Sequence, residues 1–133
     1  MAPRTRNDLL AGLPLGVAIA FAIALVLALL PADWFLDPTS RAILYAVQIP
    51  AGPVFVLIAR AVARGMQGDE RMVLLWAVTG AMAFDGIALG FWPGLYGQTG
   101  DALAWMTAVL LWAFAWIIAA GLLMTRAEPS PTA

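Results

Sequence analysis

The sequence predicts an all-α membrane protein: four transmembrane helices in an antiparallel up-down bundle, with a Pro-kinked second helix and both termini cytoplasmic. Three observations predict it. Of 133 residues, 63% are hydrophobic and 11% charged, whereas a soluble domain carries about a quarter charged residues. Four long stretches hold no charge or a single one. The arginines gather on one side of those stretches. A mean hydropathy of +0.90 agrees.

The first span, near 9–31, lies in the charge-free run from Leu9 to Ala32, longer than the roughly 20 residues a bilayer-crossing helix needs. Arg4 and Arg6 precede it as they would a signal peptide. The run outlasts the roughly 7–15 residues of such a segment, and no small-x-small cleavage site follows, so it reads as a span. Gly12, Gly16, Ala20, Ala24 and Ala28 stand four apart. Such a seam lets helices approach where lipid supplies no hydrophobic drive; it faces either the chain's own bundle or a second protein.

Leu30-Pro31 closes this span, and Asp37-Pro38 reads as an N-cap followed by proline at the first helical position. The second span, near 40–63, contains Pro50, Gly52 and Pro53. Each proline removes a backbone donor and displaces a carbonyl, which predicts a kink over 46–53. Gly65, Gly68 and Asp69 form a turn, with Asp69 as the next cap. The third span, near 70–92, carries Asp85 inside it and Gly86, Gly90 and Gly94 as a further packing seam. Trp92-Pro93-Gly94 ends it. The fourth span, near 101–125, carries Trp105, Trp112 and Trp116 on one stripe. Residues 1–126 are expected as one domain and 127–133, with two prolines, as a disordered tail.

Four spans put both termini on one side, which holds Arg4, Arg6, Arg60, Arg64, Arg71 and Arg126, against Arg41 alone on the other. The positive-inside rule makes the first side cytoplasmic. Trp34, Phe35, Trp92, Tyr96 and Trp105 fall near the outer boundary, where aromatic rings anchor helices. Arginine and alanine without lysine suggest a GC-rich bacterial genome, hence a bacterial inner membrane.

The residue inventory excludes much chemistry. There is no cysteine, histidine or lysine, which removes thiolate metal sites, His-ligated haem and Schiff bases. Ser40 and Ser130 have no histidine or lysine base, so no serine hydrolase is expected. One intramembrane acid does not make an aspartyl protease, and Asp33 with Asp37 is a weak metal set. A net charge of −1 argues against nucleic acid as a partner. No enzyme, cofactor or metal is expected; the expected partners are the lipid bilayer and a membrane-protein partner or further copies of the chain.

Asp85 is the sharpest signal, because a carboxylate near the bilayer centre costs about 3 kcal/mol on insertion scales. Counting 1.5 Å per residue puts Asp85, Gln48 and Thr107 all about 9–10 Å below the outer boundary, with Tyr45 one turn above Gln48. This predicts a polar layer in which Gln48 is the first partner of Asp85, and Thr107 or Tyr45 the next. Two readings stand for it: a hydrogen-bonded packing device, or a proton-, cation- or ligand-responsive site. The tryptophan stripe likewise reads as packing, or as a lateral contact for a quinone, carotenoid or neighbouring subunit.

The stretch from Trp76 to Gly97 (WAVTGAMAFDGIALGFWPGLYG), with Phe84-Asp85-Gly86 and Pro93-Gly94-Leu95-Tyr96-Gly97, resembles the third span of small uncharacterised four-helix bacterial inner-membrane proteins. The resemblance covers about one sixth of the chain and implies a fold but no activity. Small multidrug transporters have similar length but an acid in the first span, which this chain lacks. The expected function is therefore a non-enzymatic membrane protein acting through helix packing, as a homo-oligomer or accessory subunit of a larger membrane complex. The alternatives are a small proton-coupled transporter using Asp85 and a lipid- or quinone-binding membrane module.

Overall fold

Long apolar stretches with punctuated ends become helices throughout. The structure, a computed structural model, describes residues 3–125; Arg126 and the tail expected over 127–133 lie outside the described residues. In chain order the elements are α1 (Pro3–Leu29), the single turn α2 (Asp33–Leu36), α3 (Pro38–Gly65), α4 (Glu70–Phe91), a 3-10 turn (Pro93–Tyr96) and α5 (Gly100–Met124). Among the described residues, α1, α3, α4 and α5 are the four helices long and apolar enough to cross a membrane.

The helix starts follow from local chemistry. Asp37 caps α3, its Oδ2 accepting the Ser40 N–H at 2.7 Å, with Pro38 in the first turn. That bond holds the Asp37 carboxyl below its ordinary value. Asp69 caps α4, accepting the Met72 N–H at 2.8 Å. The Asp69 N–H in turn donates to Oδ1 of the buried Asp8 at 2.9 Å. α1 starts well before the first apolar residue, and Asp8 uses that extra turn to tie α1 to the head of α4.

Close contacts fix the directions of the helices. Asp8 meets Asp69, Gly12 meets Val73 and Gly16 meets Ala77, so α1 and α4 run parallel. Arg41 meets Trp105, Tyr45 meets Trp112 and Gly52 meets Trp116, so α3 and α5 also run parallel. Gly121 of α5 meets Leu74 of α4, and Ala63 of α3 clusters with Ala11 and Val73. Successive long helices therefore alternate in direction.

The α1 seam is used inside the bundle. A Cβ on Gly16 would overlap the Ala77 carbonyl, one on Gly12 the Val73 carbonyl, and one on Gly80 the Leu13 carbonyl. Ala20 and Ala24 are buried further along the same line, and Ala28 is half-buried. Backbones this close rely on dispersion contacts rather than on hydrophobic drive.

Two expectations need correction here. Gly86, Gly90 and Gly94 are not a seam: a Cβ on any of them meets nothing within 4 Å. Gly86 and Gly90 lie off the face of α4, with Ala77, Gly80 and Ala81, that meets α1, and Gly94 stands beyond α4 in the 3-10 turn. Gly52, in the stretch where a kink is expected, is also a packing point whose Cβ would stand 2.8 Å from the Trp116 oxygen, and α3 is helical through Pro50 and Pro53. Phe35 and Tyr96, expected as interfacial anchors, are fully buried with Ala24, Leu27, Ala88 and Met106, while Trp34 and Trp92 remain exposed. At the opposite end, Glu70 pairs with Arg60 at 2.8 Å and Arg64 at 3.1 Å. Arg64 is exposed and Arg60 and Glu70 half-buried; solvent-screened pairs contribute about 0–1 kcal/mol.

Candidate functional site

Pro93 cannot continue α4, and the chain turns through Pro93–Tyr96 into Gly97, whose φ of 66° is a left-handed conformation that suits glycine. The turn is pinned to the end of α1. Gln98 Nε2 donates to the Leu30 carbonyl at 2.8 Å and the Leu27 carbonyl at 3.2 Å, satisfying acceptors that a helix end leaves free. Gly97 presses on Ala28, where a Cβ would stand 2.8 Å from the carbonyl oxygen. So held, the Tyr96 ring enters the core and its hydroxyl donates to Asp85 Oδ1 at 2.6 Å.

That bond lies in the short range of O–H donation to a carboxylate. Burial first, and the hydrogen bond to Asp85 second, push the Tyr96 phenol above its ordinary range, so it stays protonated and acts as the donor. Gln48 is therefore not the partner of Asp85. It sits half-buried on α3, and among the described residues no hydrogen bond joins it to the carboxyl. Tyr45 is also elsewhere, its ring tilted against that of Trp112. The physical reason is that the re-entrant phenol supplies the donor that hydrocarbon withholds.

Asp85 is 6% exposed. It lines a cleft of about 230 Å³ between α4 and α5, with Met82, Leu89, Leu111 and Phe114 among the apolar walls and Thr107 opposite. Asp85 and Thr107 thus share one site, as their equal depths imply, without bonding each other. The Thr107 hydroxyl donates to the Leu103 carbonyl at 2.8 Å, which leaves Oγ1 as an acceptor. Asp85 Oδ2 has no hydrogen-bond partner among the described residues and is not sealed from the outside. Gly86 opens the mouth, because nothing replaces its missing side chain. The cleft offers two oxygen acceptors against apolar walls, and no lining side chain carries an N–H.

The tryptophan stripe of α5 packs on α3. Trp112 Nε1 donates to the Tyr45 carbonyl at 3.1 Å, its ring centroid 5.6 Å from Tyr45 and 5.7 Å from Trp116. The Arg41 guanidinium stands 3.6 Å over the Trp105 ring and donates to the Phe35 carbonyl at 3.1 Å. These rings make a helix–helix contact, with the outer edges of Trp105 and Trp112 exposed.

Sequence reasoning missed Tyr96, Gln98 and Asp8 as working residues. The signals were the Pro-Gly punctuation before Tyr96, which folds the chain back, and two uncompensated polar side chains close to helix ends. Among the described residues no group of three His, Cys, Asp or Glu side chains gathers for a metal. No protein-family model, curated protein or solved structure matches the chain.

Proposed function

We propose that the protein is a non-enzymatic, multi-pass membrane binding module that admits a lipophilic ligand sideways from the bilayer into the α4–α5 cleft, with Asp85 as its polar anchor. One observation carries the reading: a buried carboxyl, hydrogen-bonded by Tyr96 through one oxygen, lines an otherwise apolar cleft. Ionisable groups inside spans are costly, and retaining one beside an opening is a functional arrangement by default. The geometry favours this role over assembly through the α1 seam, because α4 covers that seam. It also favours binding over proton-coupled transport, since the cleft lies between α4 and α5 and is lined by residues of these two helices alone.

The same reading puts the protein in a bacterial inner membrane with both termini cytoplasmic. The support is that Arg6, Arg60, Arg64 and Arg71 share one end of the bundle and Arg41 stands at the other. It also bends α3 near Pro50 and Pro53, whose missing N–H groups leave the Ala46 and Ile49 carbonyls without their helical donors.

The test is purification in a mild detergent followed by mass spectrometry of bound lipid-soluble molecules. Wild-type protein should retain a bilayer-derived molecule near one per chain, and Gly86→Leu, whose Cβ meets open space and whose longer side chain fills the cleft, should lose it. Equal retention by both would overturn the reading.

A further inference from the structure

We propose that the α4–α5 cleft selects a lipophilic amine: an apolar chain or ring whose protonated N–H group docks on Asp85 Oδ2 and Thr107 Oγ1. The proposal rests on the reading of this cleft as a ligand site and names the ligand's chemistry. Both polar groups of the cleft can receive an amine. Thr107 does so through Oγ1, and Asp85 either as a carboxylate or as an acid that passes its proton to the amine, which gives the same ammonium–carboxylate pair. The Thr107 proton is committed to the Leu103 carbonyl, and the Tyr96 hydroxyl is committed to the far oxygen of Asp85. A ligand that brings N–H donors and can take up a carboxyl proton satisfies both groups at once.

An alcohol would bring one donor and no charge, whereas an ammonium brings up to three and the cation that the carboxyl lacks. Arg41 does not supply that cation, because its guanidinium is held by the Phe35 carbonyl and the Trp105 face and is not part of the lining. A carboxylate ligand would meet like charge and two acceptors. The walls, Met82, Leu111 and Phe114 among them, suit an alkyl chain or flat ring. A volume of about 230 Å³ holds the head and first part of such a molecule, the remainder lying in the bilayer. A hydrogen bond to a charged group in a dry site is strong enough for about tenfold discrimination or more.

The experiment measures binding of four probes with the same chain to the full-length protein in lipid nanodiscs: dodecylamine, dodecanol, dodecanoate and dodecyltrimethylammonium. Occupancy is read by native mass spectrometry for wild type, Asp85→Asn, Thr107→Val and Gly86→Leu, with circular dichroism confirming helix content. Wild type should bind dodecylamine about tenfold more tightly than dodecanol or dodecanoate. The quaternary probe, charged but without an N–H, should bind several-fold more weakly than the amine. Asp85→Asn keeps an acceptor for Tyr96 and should fold, yet lose the amine preference; Thr107→Val should weaken the amine a few-fold. Dodecanol or dodecanoate matching the amine on wild type, or an undiminished preference in Asp85→Asn, would overturn the amine assignment while leaving the cleft a ligand site. Binding of every probe unaffected by Gly86→Leu would overturn the cleft reading and the assignment with it.

Discussion

Replacing Tyr96 by phenylalanine removes one hydroxyl and leaves the ring to pack against Phe35, Ala88 and Met106. The fully buried ring loses no apolar contact, so the cost isolates the 2.6 Å bond to Asp85 Oδ1. A buried acceptor left without its donor costs about 1–3 kcal/mol in soluble proteins. Side-chain bonds between membrane helices average about 0.6 and reach about 1.7 kcal/mol, because the unfolded chain finds partners in the bilayer too. The Tyr96–Asp85 pair is short and 94% buried at its acceptor by residue exposure, so Tyr96→Phe should destabilise by about 1–2 kcal/mol. Unfolding by sodium dodecyl sulfate from dodecylmaltoside micelles, followed by circular dichroism, measures it. A double-mutant cycle with Asp85→Leu assigns the loss, since Tyr96→Phe should cost much less once the carboxyl is gone. Unchanged stability in Tyr96→Phe, or the same loss with and without Asp85, would refute the claim that this bond positions the carboxyl.

Gly16→Val should destabilise by about 1–3 kcal/mol or more in the same assay, because its Cβ has no space against the Ala77 carbonyl. Gly86→Val, in open space, should stay within about 0.5 kcal/mol of wild type. The buried Tyr96 phenol titrates above its ordinary value of 10.0, so the folded state holds this proton more tightly than the unfolded one. Its contribution is whole below that value and is lost as pH rises past it. Wild-type stability should therefore fall more steeply above pH 10.0 than that of Tyr96→Phe, and parallel profiles would contradict the burial of the phenol. Reporter fusions after Arg64 and after Gly97 should give cytoplasmic and external signals respectively; the reverse pattern would overturn the orientation.

The four long helices were legible because a charge-free run of sufficient length has few structural alternatives in lipid. The caps at Asp37 and Asp69 were legible from the residues beside them. Counting about 1.5 Å per residue puts Asp85, Thr107 and Gln48 at one level; the first two line one cleft and Gln48 is not in its lining. Rotation about each helix axis was not. A glycine every fourth residue marks a face without naming its partner, so the α1 seam and the open line of Gly86 and Gly90 read alike. α1 pairs with α4 rather than with the next helix in the chain, and no local pattern encodes that choice. Tyr96 escaped for a related reason: its approach to Asp85 depends on a 3-10 turn, a left-handed Gly97 and the anchoring of Gln98 on α1, which act together at long range.

The claim on which the functional reading depends is that the cleft beside Asp85 opens to hydrocarbon. The chain contains no cysteine, so Gly86→Cys introduces a unique thiol at the mouth, where added atoms meet open space. A nitroxide attached there and measured by electron paramagnetic resonance in liposomes should collide readily with molecular oxygen, which partitions into lipid, and little with a water-soluble nickel chelate. Strong nickel collisions would make the cleft aqueous, and weak collisions with both reagents would close it; either result contradicts a site loaded from the bilayer.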